Sequence, residues 1–155
     1  MTLVQPSPNL SAEVNSRSHS NAVWAFVIAL AVIAAFQNGA AVPFLLDDEI
    51  SIRGNESIRK LTPLSAVLWP RSEVYTAGRP LLNLSFALNY SFGGNEVRGY
   101  HIVNILIHTA AALALFGIVR RTLLLPRFAP RFSQHAPLVA VCAALLWALH
   151  PLQTV

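Results

Sequence analysis

The amino-acid sequence predicts an all-α polytopic membrane protein, with about three transmembrane helices and an outer loop that carries interfacial helices. Three observations lead there. The chain is 54% hydrophobic but only 12% charged, with a mean hydropathy of +0.51, whereas a soluble domain is roughly a quarter charged. No Asp, Glu, Lys or Arg occurs from Asn21 to Leu46 or from Tyr100 to Val119, and a bilayer crossing needs about 20 apolar residues. Three acids, Asp47-Asp48-Glu49, follow the first run at once, at the edge where a carboxylate leaves hydrocarbon for water.

Residues 1–20 hold Pro6, Pro8 and five serines with few large apolar groups, which predicts a disordered cytoplasmic tail. Residues 21–155 are then a partial transmembrane domain. Its first span covers about residues 22–43 and stops near Val42-Pro43. The alternative is a cleaved secretory signal, for which Gly39-Ala40-Ala41 offers small residues. The leader is long for that role and has only Arg17 as a positive flank.

The outer loop, residues 47–99, is punctuated by Pro63, Pro70, Gly78, Pro80 and Gly93-Gly94. Within it Pro80 to Phe92 is helical in character, since proline suits the first helical position. Leu81, Leu84 and Leu88 recur at helical spacing while Asn83 and Asn89 fall elsewhere on the wheel. That pattern fits a helix lying in the membrane interface, or a short helix packed beneath the loop. The second span covers residues 100–119 and the third residues 134–150, closing at His150-Pro151. Cys142 lies within the third apolar run; being alone, it has no partner for an internal disulfide and reads as a small buried hydrophobe.

Orientation follows from the short loop with Arg120, Arg121, Arg127 and Arg131, which has no acid. Such a loop stays in the cytoplasm. The tail is then also inside and the long loop outside. The net charge of +4 carries no basic stripe with interleaved aromatics, so no nucleic acid is expected as a partner. The lipid bilayer is.

This topology sets Asp47, Asp48, Glu49, Arg79, His101 and His150 in one layer at the outer surface, as an interfacial site would require. Each group also has a plainer reading. Adjacent carboxylates repel, which suits one of them to act as a base; the triplet alone equally fits a solvated helix end. Arg79 can grip a phosphate with two hydrogen bonds, or pair with a headgroup or an acid. His101, Asn104 and His108 fall on one face at about 100° per residue, as the wall of a site or as interhelical hydrogen bonds, the latter preferred for His108. His101 and His108 are about 10.5 Å apart along the axis, too far for one metal ion. Three Asn-x-Ser patterns, at Asn55, Asn83 and Asn89, are short enough to arise by chance.

Three blocks carry more than spacing. They are Asp47-Asp48-Glu49-Ile50-Ser51-Ile52-Arg53-Gly54-Asn55; then Arg79-Pro80-Leu81 with Asn89-Tyr90, Tyr100-His101-Ile102-Val103-Asn104 and His108; then Ala144-Leu145-Leu146-Trp147-Ala148-Leu149-His150-Pro151-Leu152-Gln153-Thr154. In order and separation they resemble the membrane O-mannosyltransferases that carry tetratricopeptide repeats, and their bacterial relatives. The resemblance covers about Phe44 to Val155. It implies the N-terminal part of a GT-C glycosyltransferase in a bacterial cell (inner) membrane, with its active face outside. Such an enzyme moves a sugar from a polyprenyl-phosphate carrier to a protein or glycan acceptor, without cofactor or metal. By carry-over, Asp48 or Asp47 would deprotonate the acceptor hydroxyl, while Arg79, His101, Glu49 and His150 would bind substrate. The chain has no 34-residue repeat and fewer spans than that family. An inactive membrane remnant and a transporter segment are the rival readings. A transporter would place its polar groups nearer the midplane.

Overall fold

The computed structural model describes residues 8–45, 48–70 and 75–153. Every regular element among them is helical: α1 (Pro8–Phe36), α2 (Leu64–Leu68), α3 (Pro80–Gly93), α4 (Val97–Leu123), α5 (Ala129–Phe132) and α6 (Ala136–Ala148), with short 3₁₀ turns at Gln37–Ala41 and Glu56–Ile58 and one π turn at Glu49–Arg53. The chain divides into two compact units, Met1–Ala35 with Ile107–Thr154, and Phe36–Leu106.

In the first unit, α1 begins at Pro8 and so extends back into the segment expected as a tail. Residues 8–20 contain no glycine, and lengthening a helix is easier than nucleating one. Among the described residues two helices are long and apolar enough to cross a membrane, over Ser20–Gly39 and Val97–Leu123. The second starts three residues before the expected span, because the chain has already turned at Gly94, whose φ is +59°. It ends with Arg120 and Arg121 in its last turn, where cations suit the negative end of the helix.

The helix α6 is 13 residues long, about 20 Å at 1.5 Å per residue, against a hydrocarbon core of roughly 30 Å. It buries Ala136, Ala140, Ala144 and Ala148 together with Val141. That every-fourth stripe of small side chains allows close helix approach. Cys142 lies about 200° around the helix from Ala140 and is exposed. The expectation of a buried cysteine is corrected: the packed face is the alanine stripe.

His108 joins α4 to α6. Its Nε2 lies 2.9 Å from the carbonyl oxygen of Ala148, and its ring is 5.1 Å from that of Trp147. A carbonyl only accepts, so Nε2 carries the hydrogen. Ala148 is the last residue of its helix, where carbonyls have no partner within the helix. Replacing His108 by Ala strips that carbonyl, at a cost of about 1–3 kcal/mol. Thermal unfolding in detergent micelles should therefore fall for His108→Ala, and His108→Gln should recover part of the loss.

Candidate functional site

The second unit holds the acid triplet, and its core explains where the triplet lies. Phe44, Ile52, Ile58, Val67, Ala87 and Tyr100 form one buried apolar cluster, flanked by Leu61, Leu84, Phe86, Tyr90 and Val97. Burying a Val or Ile side chain contributes about 1.5–3 kcal/mol. Tyr100 stands at its centre. Its ring meets Phe44 edge-on at 5.4 Å and Phe86 at 5.9 Å, and its hydroxyl donates to the carbonyl of Gly94 at 3.1 Å.

The next residue on α4 adds a polar tie. Nε2 of His101 is 3.0 Å from the carbonyl of Val42, so Nε2 donates. The other ring nitrogen, Nδ1, is then a lone-pair acceptor. It is buried and has no hydrogen-bond partner among the described residues. Between them Phe44–Tyr100 and Val42–His101 hold residues 42–45 on the start of α4. The N–H of Asp48 donates to the carbonyl of Leu45 at 3.0 Å, which carries the same attachment onto the acid.

Asp48 is half-buried and precedes the π turn without its side chain capping it. Glu49 is half-exposed and pairs with Arg53 at 3.1 Å one helical turn on, an interaction worth at most about 1 kcal/mol. The guanidinium of Arg53 also lies 5.6 Å from the ring centre of Phe44. Glu49 thus has a structural partner that the sequence reading did not give it. Asp47 lies outside the described residues.

Arg79 is exposed and sits at the N-terminus of α3, directly after Gly78, whose φ of +78° makes the turn. Only glycine adopts such a φ at little cost. No hydrogen bond or ion pair joins Asp48, Arg79 and His101 to one another among the described residues. His150 belongs to the other unit, is exposed, and accepts at Nδ1 from the N–H of Leu152 at 3.2 Å. No group of three or more His, Cys, Asp or Glu that could hold a metal ion occurs among the described residues.

What the sequence reading missed is a buried polar network. Asn55, Asn83 and Thr76 are all at most 1% exposed. The amide nitrogen of Asn55 donates to Asn83 Oδ1 at 2.9 Å and to the carbonyl of Ser51 at 3.0 Å, with Thr76 Oγ1 next at 3.3 Å. An amide nitrogen has two hydrogens, so the two nearer acceptors take them. Thr76 Oγ1 in turn donates to Asn83 Oδ1 at 2.8 Å. Asn83 Nδ2 donates to the carbonyl of Val67 at 2.6 Å and to Ser57 Oγ at 2.9 Å. Ser57 returns both its N–H and its hydroxyl to Asn55 Oδ1.

The signal was present as two Asn-x-Ser patterns, which were set aside. Position on the helical wheel misled too. On α3 it is Asn83 and Ala87 that are buried, with Leu84 half-buried, while Leu81 is 78% exposed and Leu88 is also outside. Arg59 was also missed; it donates to the Tyr90 hydroxyl at 2.9 Å and to the carbonyl of Arg53 at 2.7 Å.

Truncating Asn83 to Ala would orphan several buried groups at once, each at about 1–3 kcal/mol with some relaxation between them. Unfolding followed by circular dichroism should show Asn83→Ala less stable by about 2–4 kcal/mol, while Ser91→Ala, an exposed serine bonded within its own helix turn, should move by less than about 0.5 kcal/mol.

Three comparisons bear on what this arrangement does. No family model and no solved structure matches the chain. Among curated proteins it is 30% identical over 155 residues to protein O-mannosyl-transferase Tmtc1 of Drosophila melanogaster, covering 95% of this chain and 16% of that protein. It is 32% identical to Tmtc3 of the same organism, covering 82% and 16%. It is 31% identical to TMTC4 of Homo sapiens, covering 84% and 19%. The chain therefore spans 16% to 19% of the length of these relatives.

Proposed function

From a sequence related over most of its length to the protein O-mannosyl-transferases, we propose that this chain is part of a membrane glycosyltransferase that delivers a sugar to an acceptor hydroxyl. The observation that carries the reading is the acid stretch, attached through residues 42–45 to Tyr100 and His101 at the start of α4. A transferase of this kind needs a base, a means of orienting a hydroxyl, and cations for the leaving group.

The sugar arrives on a polyprenyl phosphate. Asp48, or Asp47 beside it, takes the proton of the acceptor hydroxyl as the oxygen attacks the anomeric carbon. The bond from that carbon to the phosphate oxygen breaks, and the phosphate leaves with the electron pair. Arg79 offsets its charge through paired N–H donors. His101, its ring fixed in place by the Nε2 bond to Val42, packs against the bound substrate. Glu49, though paired with Arg53, stays exposed enough to meet substrate.

The setting is an integral membrane protein. α1 and α4 cross, and α6 with its flanking residues makes a short third crossing. The arginine-rich connection from residue 120 to 131 lies in the cytoplasm and the loop of residues 47–99 outside. That loop rests on the bilayer: Trp69, Leu81 and Phe92 are 74%, 78% and 90% exposed, and aromatic side chains favour the membrane interface.

Two measurements test this. In membranes carrying the transferase, Asp48→Asn keeps the shape but removes the base. Transfer of sugar from a polyprenyl-phosphate donor should then fall by about 100- to 10,000-fold, with Asp47→Asn distinguishing the two acids. Full activity in both variants would end the proposal. For topology, a cysteine replacing the exposed Ser133 should react with a membrane-impermeant thiol reagent only after the membrane is opened. Labelling of intact cells at that position would reverse the orientation.

A further inference from the structure

A cavity of about 250 Å³ lies in the first unit, where the middle of α1 at Ser20, the Arg120 end of α4 and the start of α6 meet. Its polar lining is Ser20, Asn21, Arg120, Ser133 and Gln134. Arg120 lines the cavity, and its Nε is buried without a hydrogen-bond partner among the described residues. A guanidinium held partly out of water without a counter-charge is costly, and an anion in the cavity would supply that charge to the rest of the group.

Among the described residues no carboxylate lines the cavity. No Asp or Glu follows Glu96, and Met1–Ala35 contains only Glu13, about two turns along α1 from Ser20. Against it stand Arg17, Arg120, Arg121, Arg127 and Arg131. Of these, Arg127 and Arg131 lie over the rings of Phe128 and Phe132, at 6.0 and 5.5 Å from the ring centres. Arg120 has no such ring. The first turn of α6, which reaches the cavity at Pro137, is also uncapped by any side chain; its N–H dipoles point the same way in sign, although the argument for an anion rests on Arg120.

We propose that this cavity holds the phosphate of an anionic membrane phospholipid. The volume is below the roughly 300–1,000 Å³ of sites for drug-sized molecules, and it suits a headgroup whose chains remain outside. Leu124 lines the cavity, and Leu125 and Leu138 are exposed near it in sequence, which gives acyl chains an apolar surface. Basic pockets between membrane helices on the cytoplasmic side bind anionic lipid headgroups in this way. Serine hydroxyls and the amides of Asn21 and Gln134 complete the donors a phosphate needs. The proposal does not depend on the sugar-transfer reading; it would stand for any protein with this helix packing.

The test is a lipid titration of the purified full chain in detergent, read by native mass spectrometry. The probes are short-chain phosphatidylglycerol, phosphatidylcholine of the same chain length, and inorganic phosphate. Phosphatidylglycerol should bind about tenfold or more tightly than phosphatidylcholine, whose choline cancels the phosphate charge. Arg120→Gln should weaken it by about tenfold or more, and Arg121→Gln, which alters an exposed neighbour, by less than about twofold. Should Arg120→Gln fail to fold, Gln134→Glu puts a carboxylate into the lining from an exposed position and should cause the same loss. Equal binding of the two lipids, or unchanged binding in the Arg120 and Gln134 variants, overturns the site. Displacement of phosphatidylglycerol by an equal concentration of inorganic phosphate overturns the lipid assignment in favour of a soluble anion.

Discussion

The hydrogen bond between Asn55 and Asn83 ties together segments that share no backbone ladder. The second unit is made of short turns and one helix of moderate length, and a chain of that kind has few ways to fix its loops. Two buried amides solve the problem by having two donors and an acceptor each. Through them the π turn at Ser51, the 3₁₀ turn at Ser57, the end of α2 at Val67, the turn at Thr76 and helix α3 are joined to one point. Being buried, these bonds gain from the low local dielectric, and each is costly to break. The apolar cluster around Tyr100 then closes over the same segments.

That cross-link has a consequence for chemistry. The acid stretch precedes the π turn directly, so whatever fixes Ser51 and Asn55 also limits where Asp48 can go. On its other side, Val42 and Phe44 are held by His101 and Tyr100. Asp48 is thus bracketed by two attachments, and in its proposed role as a base it would be kept within reach of a substrate without being buried itself. In the first unit the same economy appears in a different form, with small residues setting close helix contact and arginines gathered at one end.

Much of this was legible from residue type. Long uncharged runs gave the two long helices, because hydrocarbon tolerates few charges. Pro80 marked the start of α3, since its fixed φ and missing N–H suit a first turn. The interhelical role of His108 was legible from its depth in an apolar run. The rest was hidden for definite reasons. Hydrophobic periodicity assumes water outside and apolar groups inside, and α3 departs from this by burying Asn83 and leaving Leu81 exposed. The buried amides occur in a pattern that also arises by chance. Cys142 was misplaced because an apolar run of alanines and leucines does not reveal which face packs. The place of Arg79 depends on tertiary contacts that no local pattern encodes, and among the described residues no hydrogen bond or ion pair joins it to Asp48 or His101.

The most direct test of this account is backbone hydrogen exchange on the chain in lipid nanodiscs, comparing the native sequence with Asn83→Ala. If the two amides organise the unit around the acid stretch, amides in residues 48–58 and 76–87 are protected in the native chain and lose protection together in the variant. Amides of α4 from residue 107 to 123 should hold theirs. Free exchange of residues 48–58 in the native chain, or unchanged protection there in Asn83→Ala, would contradict the claim that this network holds Asp48 in place.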